Sequence, residues 1–194
     1  MIKHISEIKN IESGSLLLIG GGTSVRDFDF TKVPDDVKRM SVNWSFVDTR
    51  IDYLVYTDSF FAQHVSEIPF DESVVFIGLD RNIFDGADYF FTFDDIREGF
   101  HTGYYALQIA EYLGFKKIYL IGYDYCADEN GRLHYYEGNG LIDITDQEKS
   151  LYNKELNKGL WLKDFDHNIW DAEIYNCNPK SKLKKFKFIN EVKT

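Results

Sequence analysis

The sequence predicts an α/β protein: a single Rossmann-like, doubly wound, mostly parallel sheet with helices on both faces and a lid-like loop. Three observations carry this expectation. Short continuous apolar runs, such as Leu16–Ile19 and Ile118–Ile121, read as strands buried on both faces. Helix-spaced segments alternate with them. The first run leads straight into a glycine-rich turn, the place where a first strand of this fold class meets a ligand. The 194 residues hold three prolines and no Ser/Gly-rich linker. Residues 1–194 are therefore expected to form one domain, with 123–172 as a loop or lid insertion.

Taken in order, Met1–Asn10 reads as a short amphipathic helix, with Ile2, Ile5 and Ile8 spaced by three. Ser15–Ile19 is the first buried strand and runs into Gly20-Gly21-Gly22-Thr23-Ser24. Arg39–Asn43 and Asp52–Tyr56 follow as strands, and Asp58 is placed to cap a helix over Ser59–Glu67. Ser73–Ile77 and Tyr89–Phe93 are the next two strands. Thr102 is the expected N-cap of a helix that carries Ala106, Ile109, Ala110 and Leu113 on one face and ends at Gly114. Lys117–Ile121 is again a continuous apolar strand. Gly122–Gly140 is polar and aromatic and reads as a long loop; Asp146–Gly159 reads as a helix. Glu173–Cys177 is a late strand, and Lys180–Phe188 fits helix and strand spacing equally.

Bulk properties narrow the function. A net charge of −10 argues against a nucleic-acid face, so any phosphate must be held locally by backbone N–H groups and polar side chains. Two cysteines do not make a disulfide scaffold, and Met1–Asn10 has no signal-peptide core, so a cytoplasmic location is expected. The longest apolar run is too short to span a bilayer. Lys180, Lys182, Lys184, Lys185 and Lys187 form the one basic cluster; a solvated face explains it better than a membrane contact. Self-association is left open.

In doubly wound sheets ligands bind outside the carboxyl ends of the strands, which points to five loops. Gly20, Gly21, Gly22 and Thr23 form a candidate phosphate cradle, although the third glycine of a dinucleotide fingerprint and the Gly-Lys-Ser/Thr of a Walker loop are both missing. The plain alternative is a strand-exit turn that needs positive φ. Asn43 can donate and accept to a base or ribose, and Thr57 and Asp58 stand where ribose hydroxyls would lie; turn former and helix cap are their alternatives. His101, Thr102 and Gly103 open a helix whose free N–H groups attract phosphate or carboxylate. On the long loop, Asp124, His134, Tyr135 and Tyr136 bring an acid, a near-neutral base and phenols that can hold phosphate without adding charge. His167 is a competing base. No ligand spacing marks a metal site.

The order of these motifs resembles a known family. Strand-Gly-Gly-Gly-Thr-Ser, Val42-Asn43, Tyr56-Thr57-Asp58-Ser59, His101-Thr102-Gly103, Gly114 through Tyr125, and Ile174-Tyr175-Asn176-Cys177-Asn178-Pro179-Lys180-Ser181 together are similar to the bacterial family 42 sialyltransferases. They are equally similar to the related domain-of-unknown-function 115 (DUF115) group, which includes an archaeal pterin pyrophosphokinase. The resemblance runs from about Leu16 to Ser181, and Thr102 to Asp124 is its most specific stretch. It implies a glycosyltransferase that takes a nucleotide-activated, CMP-linked sugar and a glycan-type acceptor, with no metal or other cofactor and a lid His as general base. Gly21 and Gly22 would lie under phosphate and sugar, Asn43 and Thr57 at ribose or base, Thr102 and Gly103 at phosphate or carboxylate. Tyr135 or Tyr136 would bind phosphate, and His134 would be the base. The family usually has Asn where this chain has Gly21 and Ser where it has Thr102. Two alternatives remain at this stage: a Mg²⁺-dependent pyrophosphokinase using Asp58, Asp124 and Asp128, and a nucleotide-binding module without catalysis.

Overall fold

The computed structural model describes residues 1–46, 49–65, 68–82, 86–99, 101–137 and 145–194. Within them nine strands form one sheet: β1 (Lys3–His4), β2 (Ser15–Ile19), β3 (Lys38–Val42), β4 (Tyr53–Tyr56), β5 (Val75–Leu79), β6 (Tyr89–Phe91), β7 (Lys117–Ile121), β8 (Glu173–Asn176) and β9 (Lys187–Phe188). Their order is β1-β6-β5-β4-β3-β2-β7-β8-β9, and every pairing is parallel. Four helices accompany them: α1 (Ser59–His64), α2 (Thr102–Leu113), α3 (Asp146–Lys158) and α4 (Leu160–Asp166).

The apolar runs explain the layers. All five residues of β2 are buried. Leu16 and Leu18 join the core under α2 and Phe165 of α4. Leu17 and Ile19 join the opposite core, with Val25 and with Phe61 and Ala62 of α1. A strand that packs on both faces has no polar side to alternate, which is why its sequence is continuous rather than patterned. Leu18 lies opposite Met40 on one side and Leu120 on the other, so the centre of the sheet is also the centre of the core.

The winding creates the crevice. From β2 the chain steps outward through β3, β4, β5 and β6. Then α2 carries it back across β2, β3 and β4, and β7 pairs on the far side of β2. Strand order reverses there, so the loops after β2, β3, β4 and β7 and the first turn of α2 meet at the carboxyl edge of the sheet.

Several expected elements differ from those observed. The first ten residues hold β1 and a 3₁₀ turn over Ile5–Ile8, not an amphipathic helix. A repeat of three residues is the 3₁₀ period, and ten residues are too few for a stable helix when the free edge of β6 offers the Asp88 carbonyl to Lys3 N–H at 2.9 Å. The fourth expected strand shifts to Val75–Leu79 because Asp71 draws the Ser73 amide into a turn at 2.9 Å. Helix α4, entered through left-handed Gly159 (φ 65°), has no counterpart in the sequence reading. Of Lys180–Phe188 only the last two residues form a strand, at the sheet edge. The end of the Ser59–Glu67 helix and residues 138–140 of the long loop lie outside the described residues. Among the described residues no helix is long and apolar enough to cross a membrane.

Candidate functional site

A cavity of about 410 Å³ opens at the switch point. Its walls include Gly20, Gly21, Gly22, Asn43, Thr57, Asp58, His101, Thr102, Gly103, Asp124, His134 and Tyr136, so twelve of the fifteen residues singled out from sequence converge on one space. The other three are elsewhere. Thr23 faces Asp124 from behind the glycine loop, its Oγ1 3.5 Å from Oδ2. The Tyr135 ring belongs to the core beneath α1. His167 is exposed at the C-terminal end of α4.

The glycine loop is a matter of space. None of Gly20, Gly21 and Gly22 has positive φ. A Cβ on Gly22 would stand 2.6 Å from the Asp124 carboxylate, and one on Gly21 would stand 2.9 Å from His134 Nδ1. Three amides of the loop are already occupied. Gly20 donates to the Ile121 carbonyl (2.8 Å), Gly22 to the Gly122 carbonyl (2.8 Å), and Ser24 to Asp124 Oδ2 (2.8 Å). The loop is thus a close-packed floor more than an open nest of N–H groups.

Asp124 is the strap beneath it. Its carboxylate accepts from Ser24 N, Ser24 Oγ (2.5 Å) and Asn178 Nδ2 (2.7 Å), and it is almost wholly buried. Those bonds hold β2's exit against β7's exit.

A second cluster joins the exits of β3 and β4 to α2. Asn43, in the left-handed region (φ 47°), keeps its amide on the Val55 carbonyl (2.9 Å) and turns its side chain to Thr102, Nδ2 to Oγ1 3.3 Å. Thr57 and Thr102 share a hydroxyl–hydroxyl bond of 2.5 Å. Asn43 Oδ1 is buried with no hydrogen-bond partner, an acceptor held ready. Asp58 caps α1, accepting from Phe61 N at 3.0 Å.

The N-cap of α2 is His101, which corrects the expectation for Thr102. His101 has extended backbone (φ −158°, ψ 155°), and its Nδ1 accepts from Tyr104 N at 3.2 Å. Thr102 is the first helical residue, and its hydroxyl is taken by Asn43 and Thr57 across the sheet. Burial drives the His101 pKa down to about 4. With Nδ1 accepting, the proton of the neutral ring sits on Nε2, 3.4 Å from Tyr125 Oη. Tyr125, Trp161 and Phe165 surround the ring at centroid distances of 5.5, 5.6 and 5.5 Å.

His134 closes the other side. Its ring stacks on Tyr136 (centroids 5.0 Å, planes within 4°), and Tyr152 of α3 meets it edge-on at 5.1 Å. Nδ1 is buried and no hydrogen bond of ordinary geometry reaches it. Burial lowers the pKa; the Glu137 charge and the Gly21 backbone only partly oppose that. The ring is neutral near pH 7 and able to take a proton. Burial likewise pushes the Tyr136 phenol far up, so it remains a hydrogen-bond donor.

Sequence reading missed Arg81, Tyr105, Tyr152 and Trp161, which also line the cavity. Tyr152 and Trp161 carried a signal, since they are aromatics in the segment already suspected of forming a lid. Arg81 had none; it comes in with the exit of β5. The carboxylates weighed for Mg²⁺ do not form a shared donor set. Asp124 is filled as described, Asp58 caps a helix, and Asp128 binds the Asn130 and Arg132 amides (2.9 Å each) and the Arg132 guanidinium (2.7 Å). Among the described residues no three His, Cys, Asp or Glu side chains gather to hold a metal ion.

No protein-family model and no curated protein matches the sequence. Solved structures do match. With the sialyltransferase CstII from Campylobacter jejuni in complex with the substrate analogue CMP-3FNeuAc, identity is 14% and the TM-score 0.58, covering 92% of this chain and 86% of that one. The monofunctional α-2,3-sialyltransferase Cst-I from Campylobacter jejuni gives 16%, 0.57, 94% and 82%. The fold is sialyltransferase-like. The MAf glycosyltransferase from Magnetospirillum magneticum AMB-1 aligns with a TM-score of 0.59 at 13% identity, over 98% of this chain but 35% of that one. At such identities the likeness is one of fold; what happens in the cavity has to be argued from its residues.

Proposed function

We propose that the protein is a glycosyltransferase of the family 42 and DUF115 kind, which moves a sugar from a CMP-linked donor to a hydroxyl of a glycan acceptor without a metal ion. The observation that carries this reading is His134: a neutral imidazole whose buried Nδ1 faces the Gly21 backbone, set over the glycine loop at the switch point. The structures of CstII with CMP-3FNeuAc, and of CST-II with a trisaccharide acceptor and CMP, support this choice of substrate class.

In this reading residues 123–172 form the lid, and the protein works in the cytoplasm with both cysteines free. The donor's phosphate meets the first turn of α2 at Thr102 and Gly103 and the Tyr136 hydroxyl. Ribose or base meets Asn43 and Thr57. The acceptor hydroxyl loses its proton to His134 as its oxygen bonds to the anomeric carbon. The bond from that carbon to the phosphate oxygen breaks, and CMP leaves with the electron pair. N–H and O–H donors that face the leaving phosphate stabilise its growing charge. Asp124 and Ser24 hold the floor.

A thermal-shift screen against CMP, CMP-sialic acid, UDP- and GDP-sugars and ATP, with and without Mg²⁺, tests the ligand class. A metal-independent shift with the cytidine ligands is the expected result. His134→Ala should then abolish turnover and keep the CMP shift; unchanged turnover removes the base from this mechanism.

A further inference from the structure

Arg26 grips the turn that carries His134 from outside. Arg26 sits in the 3₁₀ turn Thr23–Asp27 that follows the glycine loop. Its Nε donates to the Tyr135 carbonyl and its Nη2 to the Glu137 carbonyl, each at 2.8 Å. These two carbonyls lie just beyond His134. The Tyr135 amide in turn donates to the Gly21 carbonyl at 2.9 Å, which ties the same turn to the floor of the cavity. Glu137 completes the fastening from within: its Oε1 accepts from the Leu133 amide (2.6 Å) and the His134 amide (2.9 Å). Its Oε2 pairs with Lys149 of α3 at 2.9 Å.

We propose that Arg26 is the positioning residue for His134, and that its two-pronged grip on the lid backbone fixes the imidazole over Gly21. This rests on the reading of His134 as the base. A guanidinium suits the task because its donors form a rigid fork, which a lysine cannot reproduce with a single ammonium. Both prongs end on backbone carbonyls, so what the fork fixes is the course of the chain. The site needs that restraint. The lid enters the cavity through a stretch of chain, residues 122–137, with no strand or helix, and a displacement of about 1 Å in a reacting group costs on the order of a hundredfold in rate.

The groups facing His134 are Glu137 on its own turn, Lys149 and Tyr152 from α3, and Tyr136, whose hydroxyl feels Asp58 from the β4 exit. Lys149 and the two amides hold the Glu137 carboxyl below its usual range even though burial pushes it up. The titration of His134 therefore reads how well its ring is seated and dry.

The test follows the His134 ring protons by NMR through a pH titration, assigned by difference with His134→Gln, in the full-length protein and in Arg26→Ala, Arg26→Gln and Arg26→Lys. Wild type should titrate below the ordinary histidine value of about 6.5, and Arg26→Ala should move up toward it. Its rate of CMP-sialic acid hydrolysis should fall at least about tenfold, while the CMP-induced thermal shift stays. Arg26→Lys should fall between the two. A folded Arg26→Ala with wild-type titration and rate overturns the proposal; if that variant does not fold, Arg26→Gln decides by the same criterion. The two readings can fail separately. Full turnover in His134→Ala together with a shifted titration in Arg26→Ala sinks the base and leaves the positioning.

Discussion

Gly22→Ala tests the claim that the glycine loop is built on close approach. The new Cβ would lie 2.6 Å from Asp124 Cγ and Oδ2 and 2.7 Å from the Gly122 carbonyl oxygen. Those atoms cannot swing aside as the tip of a long side chain would, because Asp124 is held by Ser24 and Asn178, and Gly122 is backbone. Overpacking of a rigid site costs about 1–3 kcal/mol. Moving Asp124 also weakens hydrogen bonds to a charged acceptor, each worth about 1.5–3 kcal/mol. Taking the lower part of both ranges gives about 3 kcal/mol, which for a chain of this length is a fall in Tm of about 6–12 °C. Gly14→Ala is the control: nothing lies within 4 Å of its Cβ position, and its φ is ordinary. That variant should stay within about 0.5 kcal/mol of wild type. Urea titrations of both, at equal m-value, give the comparison. If Gly22→Ala is as stable as Gly14→Ala, the packing account of the loop is wrong, and the conformational freedom of glycine must be sought as the reason instead.

Two further outcomes follow from the start of α2. The folded-state pKa of His101, about 4, lies below the unfolded value of about 6.5. For a base depressed by folding, the stability is present above the unfolded pKa and is lost as pH falls toward the folded one. Wild type should therefore lose about 2 kcal/mol more than His101→Asn between about pH 7 and about pH 5, read from urea midpoints; equal losses would mean that the ring is hydrated in the folded state. Thr102→Val should cost about 1–3 kcal/mol, because it leaves Asn43 Nδ2 and the Thr57 hydroxyl without their shared partner, and should reduce the CMP-induced thermal shift. Wild-type stability with the shift intact would remove Thr102 from both the cluster and the ligand site.

The inner strands of the sheet were legible because their information is local. β7 was read to the residue: a strand covered on both faces needs only a run such as Lys117–Ile121, and Gly114 marks the helix end before it by its left-handed φ of 105°. The parts that were misread depend on partners distant in sequence. Thr is an ordinary cap residue, but the Thr102 hydroxyl is claimed by Asn43 and Thr57, and nothing near Thr102 announces that. His134 and His167 look alike in the sequence, each in a polar stretch beside aromatics. What separates them is the fork of Arg26 on the carbonyls beyond His134, set by residues about a hundred positions earlier. The three glycines announced a special turn, and the reason for them, the Asp124 carboxylate behind the loop, belongs to a different strand.

The charge of the cavity makes a last prediction, opposite in sign to the usual one for phosphate ligands. The chain carries −10 overall, and among the described residues that line the cavity Arg81 is the one Lys or Arg. Arg81 is exposed and its guanidinium lies over the Phe93 ring, 5.1 Å from the centroid. Asp58 and Asp124 add negative charge, and the two histidines are neutral. In the proposed reading a cytidine phosphate would be held here by dipoles: amides, hydroxyls and phenols at short range. Dipole contacts in a cleft are hardly screened by salt, whereas the repulsion between an anionic ligand and a distant anionic surface is screened over a Debye length of about 10 Å at 0.1 M. Raising ionic strength from about 50 to about 300 mM should then leave the Kd for CMP unchanged or lower it, where a basic phosphate site would weaken several-fold. Isothermal titration at the two salt concentrations measures this directly. A Kd that rises about tenfold with salt would mean that cations hold the ligand, and the cavity at the switch point, with its single arginine, would not be where CMP binds.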